Sequence, residues 1–337
     1  MQFDFTEDQQ EIKRTAKELL SSRSTLERVR AAAESKAYDP GLWGELCDLG
    51  WPGVATSEQY GGGGLGVVEL AGLLEEGGYA LAGSPLLATT ACGAAIQEAG
   101  SESQKESWLP RLATGEITGT LAVAGKPAPD AADADVIVLV DAARGGARLL
   151  TGDQASVSAF ETIDPTRRYG VVAGDGTTGE EMPGDREAAL AIGALITSAE
   201  LVGVCQRSLD MTVEYVKDRK QFGRPVGSFQ AVQHRCALML MQTEGSRSAT
   251  YFGAWAADAD RDRLIEGASL AKATSSNAGV EVTGSAIQAH GGIGFTWEAD
   301  VHWFFKRAQL DAAYLDGTRA HRARLASLAA ERVSSNA

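Results

Sequence analysis

The sequence predicts a mainly α protein in three parts. These are an N-terminal helical domain over residues 1–119, a small middle β domain over 120–185, and a C-terminal four-helix-bundle-like domain over 186–333. Three observations carry the division. Apolar residues recur at three- and four-residue spacing on both sides of the middle stretch. A short β-branched run, Asp135-Val-Ile-Val-Leu-Val-Asp141, interrupts them. From Arg186 onward long helical periods return without large loops, which implies an antiparallel bundle. At 337 residues the chain exceeds what one core usually serves, roughly 250–300 residues.

Thr6 followed by Glu7, Asp8 and Gln9 has the form of a capping box, and Ile12, Ala16, Leu19 and Leu20 then share one helical face. Leu42, Trp43, Leu46 and Leu49 predict a second helix, ended by Gly50 and Pro52. After the Gly61–Gly64 turn, Val67, Leu70, Ala71 and Leu74 resume the period. Ala80–Ala99 and Trp108–Leu112 complete the helical unit. In the β region, Gly145-Gly146 makes a turn, Arg148–Thr151 and Tyr169–Ala173 are further strands, and Gly174–Asp185 reads as loop or linker. Beyond it, Leu195, Ala199, Val202, Leu209, Val213 and Val216 lie close to one stripe. Helices over Ser228–Asp260 and Leu264–Ala289 follow, and a last one after Thr318.

Composition excludes several classes. With 31 basic and 45 acidic residues the net charge is −14, which disfavours nucleic acid and anionic membrane as partners. Cys47, Cys92, Cys205 and Cys236 are scattered, without CxxC or Cys/His spacing, so no metal site and no disulfide framework is expected. No apolar run reaches the ~20 residues of a membrane span, and Met1 leads straight into a helix-capping sequence, so a cytoplasmic protein is expected. No Gly-x-Ser-x-Gly elbow points to a hydrolase. His234, His302 and His321 lack metal-ligand spacing, and Trp297, Trp303, Phe304 and Phe305 read as core, or else as a pocket wall.

Three clusters carry chemistry. Asp218-Arg-Lys-Gln-Phe-Gly-Arg-Pro-Val-Gly-Ser-Phe-Gln230 ends a helix in basic residues; the Arg219 fork suits a pyrophosphate, while a plain C-terminal cap accounts for the same residues. Gln288-Ala-His-Gly-Gly-Ile-Gly294 lets backbone amides approach a phosphate or ring, or is a simple turn; its spacing is not that of a dinucleotide fingerprint. Asp316-Gly-Thr318 presents a carboxylate on a loop, or is an Asp-Gly turn.

In this order and spacing the three clusters together resemble the acyl-CoA dehydrogenases, and the α, β, α-bundle order covers the whole chain as that fold would. Thr296–His302 resembles the short actinobacterial members that form heterotetramers. The resemblance implies FAD as cofactor. Arg219, Gln221 and Phe222 would meet its pyrophosphate, Gln230 its adenine side, and Gln288, Gly291 and Gly292 would bind it across a subunit interface. Thr318 would touch the flavin, Gly317 the substrate, and Asp316 would be the catalytic base, removing the α-proton of an acyl-CoA as the β-hydride passes to the flavin. An electron-transfer flavoprotein is the implied electron acceptor, and a homo- or heterotetramer with a longer homologous subunit the implied assembly.

The sequence also departs from the family. The base is usually Glu; here it is the shorter Asp316. The alternative position for a base falls on Gly193, and Glu200, two turns on, reads as structural. The Thr-Glu-Pro-x-x-Gly-Ser-Asp segment that walls the flavin is replaced by Val123-Ala-Gly-Lys-Pro-Ala-Pro-Asp130 in a shortened β domain, and Arg319-Ala-His321 stands where a middle Gln is expected. Two functions follow: an FAD-dependent dehydrogenase subunit desaturating an acyl-CoA thioester, bulky and sterol- or polycyclic-derived, or a non-catalytic subunit completing another chain's FAD site. A third keeps the fold with a flavin monooxygenase or carrier-protein dehydrogenase reaction.

Overall fold

The computed structural model describes residues 4–141, 145–174 and 179–335. Helix α1 (Glu7–Arg23) opens with the expected reciprocal cap: the Gln9 amide donates to Thr6 Oγ1 at 3.2 Å, and the Thr6 amide donates to Gln9 Oε1 at 3.0 Å. Helix α2 (Leu26–Ser35), which the apolar pattern did not announce, is capped by Thr25 and buries only Val29 and Ala33. Two buried residues in ten leave little periodicity to read. Helices α3 (Pro40–Asp48), α4 (Val67–Tyr79), α5 (Leu86–Ala99) and α6 (Glu102–Ala113) follow.

The middle region forms two small sheets. Strands β1 (Gly119–Val123), β3 (Val136–Asp141), β4 (Gly146–Thr151) and β7 (Glu180–Met182) lie in the order β1-β3-β4-β7, with β1 and β3 parallel. Strands β2 (Pro127–Pro129), β6 (Tyr169–Val172) and β5 (Val157–Phe160) form the second sheet. The buried run predicted around Val136 is β3, with Val136–Val140 all buried. One reading is corrected. The Gly174–Asp185 loop contains β7, whose exposed Glu180 and Glu181 hide the strand from any apolar pattern; residues 175–178 of that loop lie outside the described residues. Val123–Asp130 holds the end of β1, a turn at Gly125 and an edge strand carrying two prolines.

The C-terminal helices are α7 (Arg186–Asp218), α8 (Gln230–Ala259), α9 (Leu264–His290), α10 (Val301–Ala313) and α11 (Thr318–Ser335). Asp185 caps α7, accepting from the amides of Glu187 and Ala188 at 2.9 and 3.0 Å. By length and composition α7 could cross a membrane, yet 94% of its most apolar window is buried within the protein. Helices α4, α5, α8, α9 and α10 surround it. Helix α10 was missed because the aromatic run Trp303-Phe304-Phe305 reads as a cluster rather than a period.

Helices α4 and α7 cross at two glycines. A Cβ on Gly203 would lie 1.8 Å from the Glu75 carbonyl oxygen, and one on Gly78 would lie 2.1 Å from that of Glu200. Both obstacles are backbone, so neither side can yield locally. Gly203→Ala is therefore expected to destabilise the fold by at least the ~1–3 kcal/mol typical of overpacking. A urea midpoint equal to that of the wild type would show that the helices separate freely.

Candidate flavin and catalytic-loop sites

Helix α7 ends at Arg219, and residues 220–225 turn back as a hairpin pairing Lys220 with Pro225 and Gln221 with Arg224. Both turn residues, Phe222 (φ 54°) and Gly223 (φ 77°), are left-handed. That suits glycine and strains phenylalanine, a cost on the order of 1–3 kcal/mol. The Phe222 side chain is nevertheless 92% exposed. Across from the hairpin, α9 terminates at Gly291, whose φ of 67° and ψ of −142° only glycine adopts readily.

Between these ends lies a cavity of about 580 Å³. Arg219, Gln221, Phe222, Gly291 and Gly292 all line it, so five of the predicted cofactor residues converge. Gln230 and Gln288 do not line it; each is exposed and adjoins a lining residue, Phe229 and Ala289 respectively. Among the described residues none forms an ion pair with Arg219. A Cβ on Gly291 or Gly292 would meet nothing within 4 Å, so the backbone there faces open space. His290 stacks on Tyr215 with ring centroids 4.4 Å apart. Its Nδ1 is 2.8 Å from the Ala286 carbonyl, and burial holds its pKa below the usual value. A carbonyl only accepts, so Nδ1 carries the proton and Nε2 keeps its lone pair. The donor set fits a flavin nucleotide: a free guanidinium fork and a helix-end glycine turn, both suited to phosphate.

Asp316, Gly317 and Thr318 lie elsewhere, and no residue lines both cavities. Asp316 borders a cleft of about 350 Å³ whose floor includes Val123, Leu190, Ile265 and Leu315 and whose rim carries Lys126, His321 and Arg324. The turn is held in a costly conformation, with Leu315 at φ 54° and Asp316 at φ 68°. The Lys126 ammonium donates to the Asp316 carboxylate. Both side chains are about half exposed (48% and 53%), so this pair contributes at most ~1 kcal/mol. The apolar contact beneath it closes more firmly. Leu121 and Leu315 are buried against α7, and a Cβ on Gly193 would lie 2.7 and 2.8 Å from their methyl groups. Tyr314 Oη donates to the Leu121 carbonyl at 2.5 Å. A carboxylate side chain at position 193 has no room here.

Under this loop lies a charge cluster the sequence did not announce. Arg167 donates to both oxygens of Glu200 at 2.6 and 2.7 Å, and to Asp311 Oδ1 at 3.0 Å. Arg307 reaches Asp164 at 2.6 Å, Thr166 Oγ1 at 2.7 Å and Glu200 at 3.2 Å. Lys272 donates to the Asp311 carbonyl. All six charged residues are at most 4% exposed. Burial works to raise the Glu200 carboxyl, but Arg167 and Arg307 override it and hold it at about 2. Glu200 is structural, as read from the sequence. Burial and the nearby Glu200 push Asp311 well up, and burial brings Lys272 down to about 7 against the pull of Asp311 and Asp316. The reading of the aromatic group as core holds for Trp303 and Phe304; Trp297 is 69% exposed, under the Lys306 ammonium at 4.0 Å.

Known proteins place this architecture. Residues 6–116 match the family model "Acyl-CoA dehydrogenase, N-terminal domain", and residues 186–329 match "Acyl-CoA dehydrogenase, C-terminal domain". Acyl-CoA dehydrogenase IpdE2 of Mycolicibacterium smegmatis is 35% identical over 322 residues, covering 95% of this chain and 98% of that protein. A solved variant of the Tcur3481-Tcur3483 steroid ACAD superposes with a TM-score of 0.89 at 28% identity, covering 97% and 99% of the two chains. The ChsE4-ChsE5 complex from Mycobacterium tuberculosis shares the fold, with a TM-score of 0.88 at 24% identity over 98% of this chain and 99% of that one. With both halves matched and the similarity running nearly end to end, this chain belongs to the acyl-CoA dehydrogenase family of oxidoreductases.

Proposed function

We propose that the chain is one subunit of a heteromeric, FAD-dependent acyl-CoA dehydrogenase that introduces an α,β double bond into a bulky, steroid-like CoA thioester. In this arrangement its Arg219–Gly291 end completes an FAD site shared with a longer homologous subunit. One observation carries the reading: the phosphate-type cavity at Arg219 is open, while Asp316, at the edge of its cleft, is already paired with Lys126 and Gly193 leaves no room for a base at the alternative position. When bound, the flavin accepts the hydride from the acyl β-carbon. This chain's part is to hold the pyrophosphate by the Arg219 fork and to pack Phe222 against the completed site. A partner surface is at hand, since Leu238, Leu240 and Met241 of α8 are 49–62% exposed. The name of the Tcur3481-Tcur3483 steroid ACAD supports both the pairing and the substrate class. Electrons would leave through an electron-transfer flavoprotein, as the resemblance implies.

The second reading, with Asp316 as working base, is favoured by its place on a left-handed turn at the edge of a cleft. Co-purification with a longer dehydrogenase homologue decides between the two. The complex is expected to be yellow and to bleach with a bulky acyl-CoA, and Asp316→Asn is expected to leave bleaching intact. Loss of bleaching in that variant, with flavin retained, would transfer the base to this chain. An active, flavin-loaded homotetramer would rule out the heteromeric reading.

A further inference from the structure

The segment joining α10 to α11 is gripped at both ends by adjacent residues of α9. Upstream, the Lys272 ammonium donates to the Asp311 backbone carbonyl. Downstream, Thr318 Oγ1, at the first residue of α11, donates to the Ala273 carbonyl at 3.3 Å. The strained pair Leu315-Asp316 lies between the anchors. We propose that Lys272 is a positioning residue which, together with the Ala273 carbonyl, fixes this left-handed turn and so determines where Asp316 is presented.

Helix chemistry explains why the upstream anchor is a lysine. The last four carbonyls of a helix lack intrahelical partners, and the carbonyl of Asp311 is among those of α10, which ends at Ala313. A cation is the favoured cap for that negative end. Lysine is nonetheless seldom fully buried unless paired, and Lys272 is 0% exposed. The titratable groups that act on it are Asp311 from α10, Asp316 from the loop and His321 from α11, and Asp311 in turn is surrounded by Arg307 of α10, Glu200 of α7 and Arg167 of the middle region. The carboxyl groups of Asp311 and Asp316 favour the charged form and offset part of that burden.

The grip is consequently sensitive to pH. Burial brings the Lys272 ammonium from 10.5 to about 7. Below about 7 it is charged and its bond to the carbonyl is charge-assisted; above, a neutral amine donates a weaker one. The sign for global stability is the reverse. A lysine with a depressed folded value opposes folding while charged, and that cost is relieved as the pH rises from about 7 toward 10.5. Order in the turn and stability of the whole should thus move in opposite directions, which a merely structural lysine would not produce. This holds whether or not Asp316 is a base.

Hydrogen exchange on the full chain, followed by mass spectrometry of peptides spanning 311–320 and corrected for intrinsic rates, tests it directly. In the wild type, protection of the turn is expected to fall several-fold between about pH 6 and about pH 8.5, while the urea midpoint does not fall. Lys272→Met should lose protection at both values, and Lys272→Arg should keep it without the step. Thr318→Val, which buries no charge, should loosen the same peptides and decides the matter if Lys272→Met does not fold. Protection independent of pH in the wild type, with Thr318→Val indistinguishable from it, would overturn the proposal.

Discussion

Arg307→Met is expected to lower stability by about 3–5 kcal/mol, the usual cost of removing one partner from a buried ion pair. The side chain has no solvent to fall back on, being 0% exposed, and neither has Asp164, also 0% exposed. Without the guanidinium, among the described residues Asp164 keeps only the Thr166 amide and hydroxyl, and Glu200 keeps only Arg167 as a cation. The loss should depend on pH in a definite direction. In the wild type Glu200 sits near 2, below an ordinary glutamate at 4.5, so its ion pairing stabilises the fold above about 4.5 and is lost as pH falls toward 2. In the variant the carboxylates can take up protons, so the penalty should be smaller near pH 5 than near pH 8. Urea denaturation at the two values measures it. Asp164→Asn added to Arg307→Met should recover part of the loss, since the two groups face each other. A pH-independent penalty with additive double-variant values would mean that packing, not charge, is what Arg307 supplies.

Arg219→Ala should act on the opposite quantity. The residue is exposed and forms no ion pair among the described residues, so the thermal midpoint of the free chain is expected to stay within experimental scatter. If Arg219 holds the FAD pyrophosphate as proposed, its loss in a complex with a longer subunit should weaken FAD by roughly 10- to 100-fold, corresponding to ~1.5–3 kcal/mol. Arg219→Lys should recover only part, because an ammonium lacks the planar fork. Flavin retained at wild-type affinity in Arg219→Ala would remove this end of α7 from the cofactor site. Because the two substitutions separate stability from cofactor affinity, they test the interior cluster and the open cavity independently.

The two halves of the site were not equally legible. The Arg219 and Gly291 ends announce themselves because glycines, prolines and clustered cations mark helix termini, and five of those residues do line one cavity. The β3 strand was plain for a similar reason: five buried apolar residues in a row have one interpretation. What stayed hidden depends on contacts far apart in the chain. Nothing near Lys126 indicates that it meets Asp316, 190 positions away. Lys272 sits in the run Leu270-Ala-Lys-Ala273, where a lone cation suggests a solvated face, and only the fold reveals that it is buried beside Asp311 and Asp316. Asp164, Thr166 and Arg167 likewise look like loop residues until α7 and α10 close over them.

The burial of α7 has a consequence for how this chain comes off the ribosome. The helix is 33 residues, some 50 Å, and its most apolar stretch is almost wholly buried. It emerges when α4 and α5 are already made and α8, α9 and α10 are not. Its first cover must therefore come from the N-terminal helices, through the Gly78–Gly203 crossing, with the later helices wrapping the remaining face. The two segments recognised as separate family units, 6–116 and 186–329, share this helix as a common wall. Cut apart, each would display apolar surface that the other now covers.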